Sequence, residues 1–291
     1  MTRTQQEIEL KLALPSSGRP LADVLDFLHL EDESKKHLKS IYFDAPDWRL
    51  RKAAIGLRVR SAGSKMIQTV KTGRRDQLGI FIREEYEKTI SSEKPTETSV
   101  AETPVASYFK PGTLNDLLEP IFEVQYERTI SNWVTDTKDA VEIAIDVGDV
   151  TTKGLASPIY ELELELKSGA PKALFELANR IAEKIPVWPA HESKADKGFR
   201  LAGELLDSQS EPDPLRPVHK EAFVSNLLGK HSNASEALDF LHKNGAGQRI
   251  IPEWFTEESR LKKIGVPQTE KEMSQWAILL LEMQFKDESI R

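Results

Sequence analysis

Glu7-Ile8-Glu9-Leu10-Lys11-Leu12, near the start of the chain, is the stretch whose reading decides the fold. In an extended strand successive side chains point to opposite faces, so the charged residues share one face and the aliphatic residues the other. The same division recurs in Glu161-Leu162-Glu163-Leu164-Glu165-Leu166-Lys167, in Leu57-Arg58-Val59-Arg60 and in Glu142-Ile143-Ala144-Ile145-Asp146. One such strand would be half-exposed, with charges to water and aliphatics to a core. The set says more. Several Glu in a row on one face repel each other unless a cation lies among them. If the sheet closes with its charged face inward, the acidic strands would hold a metal and the basic strands would face a polyanion.

Other segments alternate in the same way. Gln6 to Leu14, Leu38 to Phe43, Gly56 to Arg60, Met66 to Lys71, Ile80 to Ile90, Ile121 to Ile130, Val141 to Val147 and Tyr160 to Lys167 read as strands. Ser61-Ala62-Gly63-Ser64 and Asp146-Val147-Gly148-Asp149 read as hairpin turns between them. This spacing predicts a closed antiparallel barrel or a sandwich. Helices are expected over Pro20 to Leu28 and over Pro171 to Ile185, where Leu174, Leu177, Ala178 and Ile181 stand at helical spacing. A barrel with charges inside needs its apolar outer face covered, and these helices together with those of the C-terminal segment are expected to do it.

The chain changes character at residues 207–217, where SQSEPDPLRP reads as a proline- and charge-rich linker. A first domain over 1–206 and a helical segment over 218–291 follow from that boundary. Thr269 with Glu272 reads as a capping box, and Trp254, Trp276 and Phe285 as helix-packing residues.

A net charge of −7 argues against a general nucleic-acid-binding surface, although a basic pocket inside an acidic shell is compatible with it. The absence of cysteine excludes disulfides, thiolate zinc sites and a cysteine nucleophile, and it fits a reducing compartment. MTRTQQEIELKLAL carries charge almost at once and lacks an apolar signal core, and the run Trp276 to Leu281 is too short to span a bilayer. A soluble, cytoplasmic protein without nucleic-acid or membrane partners is the expectation.

The charged strands also carry a resemblance. Glu7-x-Glu9-x-Lys11 resembles the ExExK signature of the CYTH superfamily, the triphosphate tunnel metalloenzymes. Tyr42-Phe43-Asp44-Ala45-Pro46-Asp47 is similar to the family's YFDTPD strand end, Gly56 to Arg60 to its LRxR segment, and Gln68 to Thr72 to its TxKT segment. Arg83 to Glu87 is similar to the RxExE strand, and Arg128 to the basic position of the strand that follows. Val141 to Gly148 resembles the ExxxDxG hairpin, Glu161 to Lys167 the EIELELK strand, and Ser193-Lys194 to Phe199 the closing SKxxxGY stretch. The match covers about 1–205, in family order, and is most similar to bacterial inorganic triphosphatases. It implies a mainly β (α+β) fold: a closed antiparallel eight-stranded tunnel barrel with a charged interior, flanking helices and a small C-terminal helical segment. Some of those relatives carry a helical CHAD domain. The segment over 218–291 is far shorter and poor in His and Arg, so it is expected to be a truncated or unrelated appendix that caps the barrel or makes a homodimer contact.

Inorganic triphosphate needs several fixed cations, and arginine forks suit phosphate oxygens. Strand parity points Lys11, Arg58, Arg60 and Lys71 into the proposed tunnel, and the resemblance adds Arg128 and Lys194. Glu7 and Glu9 on one strand with Glu163 and Glu165 on another would hold Mg²⁺ or Mn²⁺, with Asp146 and Glu85 as further candidates. The proton acceptor is read as a lysine with a lowered pKa or a glutamate, and Lys11 and Glu85 are the catalytic candidates. Glu161 is expected to be a solvated strand end, Asp44 and Asp47 a turn, and His191 a surface histidine. Alternation groups Arg128 with Phe122, Val124 and Tyr126 rather than with Glu123 and Glu127, so its inward position rests on the resemblance unless a bulge intervenes. Metal-dependent hydrolysis of inorganic triphosphate is the expected activity. The alternatives are a nucleoside or thiamine triphosphatase, an adenylate cyclase, or a polyphosphate- or nucleotide-binding module without turnover.

Overall fold

In the computed structural model β1 (Arg3–Ala13) pairs on one side with β8 (Leu155–Ser168) and on the other with β5 (Ile80–Ile90), and that double pairing closes a barrel. The structure describes residues 3–14, 34–77, 80–185, 187–190, 192–204, 278, 281 and 282. Between β5 and β8 the ring runs through β4 (Lys65–Gln77), β3 (Gly56–Ala62), β2 (Ser34–Asp44), β6 (Glu119–Val134) and β7 (Ala140–Thr152). Every pairing is antiparallel. A two-residue strand, β9 (Trp188–Pro189), adds to the end of β1. The expected barrel, rather than a sandwich, is what forms.

The charged faces point inward and the aliphatic faces outward. Leu10, Leu12, Ile143, Ile145, Leu162 and Leu164 form one outer cluster, covered by Leu174, Leu177, Ala178 and Ile181 of the helix Lys172–Ala182. Each such aliphatic side chain contributes about 1.5–3 kcal/mol on burial, which is why a barrel lined with charge needs an outer layer of helix. Ile278 and Leu281 join this cluster, so part of the C-terminal segment packs on the barrel wall. A second outer cluster holds Phe43, Leu57, Val59 and Val70 under Leu50, Val100, Val105 and Leu114. The last three belong to short helical pieces at Glu97–Val100, Pro104–Tyr108 and Leu114–Leu117, which carry no periodicity long enough to be legible in the sequence. The expected helix over 20–28, the linker and the remaining C-terminal helices lie outside the described residues, as do His191, Trp254, Trp276 and Phe285.

A third cluster lies inside the barrel and closes one end. Tyr42, Phe122, Val124, Tyr126, Val150 and Ile159 pack there against Phe199 and Leu201 of the helix Lys194–Glu204. Ser193 and Asp196 start that helix with reciprocal bonds: Ser193 Oγ donates to Asp196 Oδ2 at 2.6 Å and the Asp196 amide donates to Ser193 Oγ at 3.2 Å. Nothing in the periodicity reading placed a helix here, although the Ser-x-x-Asp spacing was a usable signal.

Asp146-Val147-Gly148-Asp149 is not a turn. It runs through the middle of β7, and the hairpin turn to β8 lies at Lys153 and Gly154, both with positive φ. Gly148 is needed for close approach instead: a Cβ there would lie 2.0 Å from the Gln125 carbonyl oxygen and 2.5 Å from Tyr126 Cα. Those atoms belong to the paired strand β6 and cannot withdraw without opening the ladder. Gly148→Ala is expected to destabilise the protein by about 2–3 kcal/mol, measured by urea unfolding. The Ser61–Ser64 turn is present, with Gly63 at positive φ between β3 and β4.

Candidate active site

The barrel lumen has a basic wall and an acidic wall. On the basic side, β3 and β4 direct Arg58, Arg60 and Lys71 inward. Among the described residues Arg58 makes long contacts, 3.4 Å to the Tyr42 hydroxyl and 3.5 Å to Glu85 Oε1, and its buried Nε has no hydrogen-bond partner. Arg60 donates to the Tyr126 hydroxyl at 3.0 Å and to Ser40 Oγ at 3.4 Å. Lys71 bonds both oxygens of Glu7, at 2.7 and 2.9 Å, and stands 3.5 Å from Glu85. An unsatisfied buried guanidinium nitrogen is costly in isolation and favours an anionic ligand beside it.

On the acidic side, β7 and β8 bring Asp146, Glu161 and Glu163 together, with one carboxylate oxygen of each within 4.8 Å of the others. Lys194 reaches in from its helix and contacts all three, at 2.6 Å from Asp146 and 2.7 Å from each glutamate. Arg128 donates to Asp146 at 2.7 and 2.6 Å and also to Glu163. Lys11 bonds Glu163 and stands 2.6 Å from Glu9.

The charge states follow from these partners. Burial alone would raise the Glu163 carboxyl, but Lys11, Lys194 and Arg128 outweigh it and hold the group well below the usual range. Asp146, buried beside Lys194 and Arg128, is lowered in the same way. Burial pulls the Lys11 ammonium down, yet Glu163 and Glu9 more than offset it, and Lys71 and Lys194 are likewise raised. Their neighbours hold these lysines as cations, with pKa values raised rather than depressed.

Most of the expected residues line one cavity of about 960 Å³: Glu7, Glu9, Lys11, Arg58, Arg60, Lys71, Glu85, Arg128, Glu163, Glu165 and Lys194. Asp146 is fully buried behind Lys194 and Arg128. Glu7, Glu9 and Glu165 are not part of the acidic trio; they pair with Lys71, Lys11 and Lys167 respectively. Glu161 is, and its expected role as a solvated strand end is corrected: β8 begins six residues earlier, at Leu155, and Glu161 is 3% exposed. Arg128 does share a face with Phe122, Val124 and Tyr126, and the β6–β7 register is unbroken from Glu123 to Val134, so no bulge is involved. That face points into the barrel, apolar where the closing helix fills it and charged beyond. Tyr42 and Tyr126 supply hydroxyls that the charge pattern did not single out. Asp44 is a turn residue as expected: it accepts from the amides of Ala45, Leu50 and Arg51.

Comparison with known proteins bears directly on this arrangement. A family model described as the CYTH domain matches residues 5–199. The chain belongs to the CYTH family. An inorganic triphosphatase of Haemophilus influenzae is 31% identical over 202 residues, which cover 68% of this chain and 56% of that protein. The chain thus spans little more than half the length of that relative. Among solved structures, the Hippeastrum protein HpAC1, described provisionally as an adenylyl cyclase and reported to have a dominant triphosphatase activity, superposes with a TM-score of 0.53. It is 20% identical, and the match covers 70% of this chain and all of that one, so this likeness is one of fold.

The acidic trio of this CYTH barrel suits a divalent cation. Its donors are carboxylate oxygens, the hard ligands that Mg²⁺ and Mn²⁺ take, they converge from two strands, and they already hold positive charge among them. The same pairing sets the acid stability of the CYTH barrel. Glu7, Glu85, Asp146 and Glu163 are all lowered on folding, the pull of neighbouring Lys and Arg outweighing burial. Their contribution is therefore complete above the unfolded carboxylate range and is lost as pH falls through the lowered folded values. Glu165, raised by burial, runs the other way. Thermal stability is expected to fall from about pH 5 downward, more steeply than one carboxylate could produce, as followed by circular dichroism at graded pH.

Proposed function

We propose that this CYTH barrel hydrolyses inorganic triphosphate to diphosphate and phosphate with Mg²⁺ or Mn²⁺. The observation that carries the reading is the pairing of a basic wall, Arg58 with an Nε unpartnered among the described residues and Arg60 bonded to hydroxyls, with a convergent acidic trio in one closed barrel. Similarity to the Haemophilus inorganic triphosphatase supports the same substrate. Arg58, Arg60 and Lys71 bind the phosphate chain, with Tyr42 and Tyr126 orienting the two arginines. Asp146, Glu161 and Glu163 hold the divalent cation, with Glu7, Glu9 and Glu165 as further carboxylates along the tunnel. When bound, that cation neutralises charge on the phosphate oxygens and lowers the barrier to attack at phosphorus.

Lys11, Arg128 and Lys194 stay protonated and balance the charge that develops on the transferred phosphoryl group. Glu85 stands 3.5 Å from both Arg58 and Lys71 of the basic wall. Lys71, Arg58 and Arg60 hold the Glu85 carboxyl down against burial; once phosphate takes those cations, its basicity rises. It is then fitted to orient a water and accept its proton. The tunnel domain over 1–206 carries this chemistry, and Ile278 and Leu281 help to cover the barrel wall.

The test is phosphate release from tripolyphosphate by the purified chain, with Mg²⁺, with Mn²⁺ and with chelator, beside ATP and thiamine triphosphate. Metal-dependent release favouring tripolyphosphate is expected. Absence of release from all three substrates would leave a binding module as the better account.

A further inference from the structure

Tyr126 has a hydroxyl proton that no described residue receives. Its side chain is 5% exposed, yet it lines the cavity. The phenol oxygen accepts from Arg60 at 3.0 Å, and among the described residues the hydroxyl makes no other hydrogen bond. We propose that Tyr126 donates to an ionised oxygen of bound triphosphate, as a neutral contact beside the charged fork of Arg60. The inference rests on the reading of Arg58, Arg60 and Lys71 as the triphosphate-binding wall and adds to it a residue of different chemistry.

The neighbours say why the missing partner is an anion. A phenol can both give and receive a hydrogen bond, whereas arginine and lysine side chains only give. Groups of the second kind crowd around Tyr126. Arg60 holds the oxygen, and the Arg128 guanidinium and the Lys194 ammonium stand 5.6 and 5.3 Å from the ring centre. None of them can receive the phenol proton. The carboxylates behind them are engaged, Asp146 by Arg128 and Lys194, and Glu163 by Arg128, Lys11 and Lys194. A buried tyrosine hydroxyl usually finds a partner, and leaving its proton unpaired is costly. An ionised phosphate oxygen, which only receives, is what the place lacks.

The strand pairing fixes where that donor stands. Tyr126 lies opposite Gly148 across β6–β7, and a Cβ on Gly148 would fall 2.7 Å from Tyr126 Cβ. The bare glycine leaves the ring its room, at the depth where the closing aromatic cluster gives way to Arg128. A donor held in place before the ligand arrives loses little freedom on binding. It also differs from the cations in kind. Attraction between charges weakens as salt screens it, and a hydrogen bond from a neutral hydroxyl depends on salt far less.

The experiment is a calorimetric titration of tripolyphosphate into the full chain in chelator, repeated over a range of salt concentrations. Wild type, Tyr126→Phe, Arg60→Met and the double variant are compared, with melting temperature as the check that each is folded. Tyr126→Phe keeps the ring beside Arg128 and Lys194 and removes only the hydroxyl. It is expected to weaken binding about ten- to a hundred-fold, the range of one hydrogen bond to a charged group. The loss should persist in the Arg60→Met background. The salt dependence should become shallower with Arg60→Met and stay as steep as wild type with Tyr126→Phe. A loss that vanishes once Arg60 is gone would overturn the proposal, because the phenol would then act only by orienting that arginine. Tripolyphosphate binding by Tyr126→Phe equal to that of wild type would overturn it as well. Failure of the triphosphate reading is seen separately, as wild type that neither binds tripolyphosphate nor releases phosphate from it with metal.

Discussion

Glu163→Gln is expected to lower metal-dependent phosphate release by about 100-fold or more while the barrel stays folded. Glu163 is the carboxylate shared by Lys11, Arg128 and Lys194, so its charge links three cations from three separate elements. Removing one partner of a buried pair commonly costs about 3–5 kcal/mol, because the other is left uncompensated. Here none is. Lys11 keeps Glu9 at 2.6 Å, Arg128 keeps both oxygens of Asp146, and Lys194 keeps Asp146 and Glu161. The loss of stability should therefore be nearer to that of a charged hydrogen bond, about 1.5–3 kcal/mol. A trio reduced to two carboxylates, however, loses a third of its negative charge, and the cation it would hold is divalent. Activity and Mn²⁺ affinity should fall together, and the affinity for tripolyphosphate in chelator should not fall with them. Arg58→Ala should reverse the pattern, weakening tripolyphosphate binding while leaving Mn²⁺ binding to the free protein near its wild-type value. Near-normal turnover by Glu163→Gln would take Glu163 out of the metal-holding wall.

The inward direction of β1, β3 and β8 was legible because every charge on those strands falls on one face, and only a charged lumen makes such a set consistent. Arg128 was not legible from its own strand. The inner face of β6 changes from Phe122, Val124 and Tyr126 to Arg128 where the closing helix ends, and no periodicity within a single strand reports what fills a barrel end. The two misreadings around Asp146 and Glu161 have one origin. Asp-Val-Gly-Asp has the composition of a turn, but its glycine serves a close approach of backbones, and the chain turns at Lys153-Gly154 instead. Moving the turn by that much lengthens β8 and carries Glu161 from a strand end into the lumen. The acidic trio is thus invisible until the register is known: Glu161 stands opposite Asp146 across β7–β8, and Asp146 opposite Arg128 across β6–β7. Lys194 came from the resemblance alone, since nothing in its neighbourhood says that its helix enters the barrel.

That helix is the subject of the second large effect. Gly198 lies one turn beyond Lys194, and a Cβ there would stand 2.2 Å from two carbons of the Phe122 ring. The ring has no room to retreat, because it is stacked on Tyr42 at 4.6 Å and met edge-on by Phe199 at 5.1 Å. In a free helix, alanine is favoured over glycine by about 1 kcal/mol, so the intrinsic preference predicts that Gly198→Ala stabilises. The packing predicts the opposite sign, a loss of about 1–3 kcal/mol as the helix lifts from the ring. Lys194 would move with the helix, and Tyr42, which faces Arg58, with the ring. Phosphate release should therefore fall about ten- to a hundred-fold although no charged group has changed, a misplacement effect acting through position alone. Phe122→Leu in the Gly198→Ala background separates the causes. If the clash is responsible, removing the ring should recover stability and part of the activity, and the two substitutions should be strongly non-additive in a double-mutant cycle. A Gly198→Ala protein that is more stable than wild type and fully active would mean that contact with Phe122 does not set the position of Lys194.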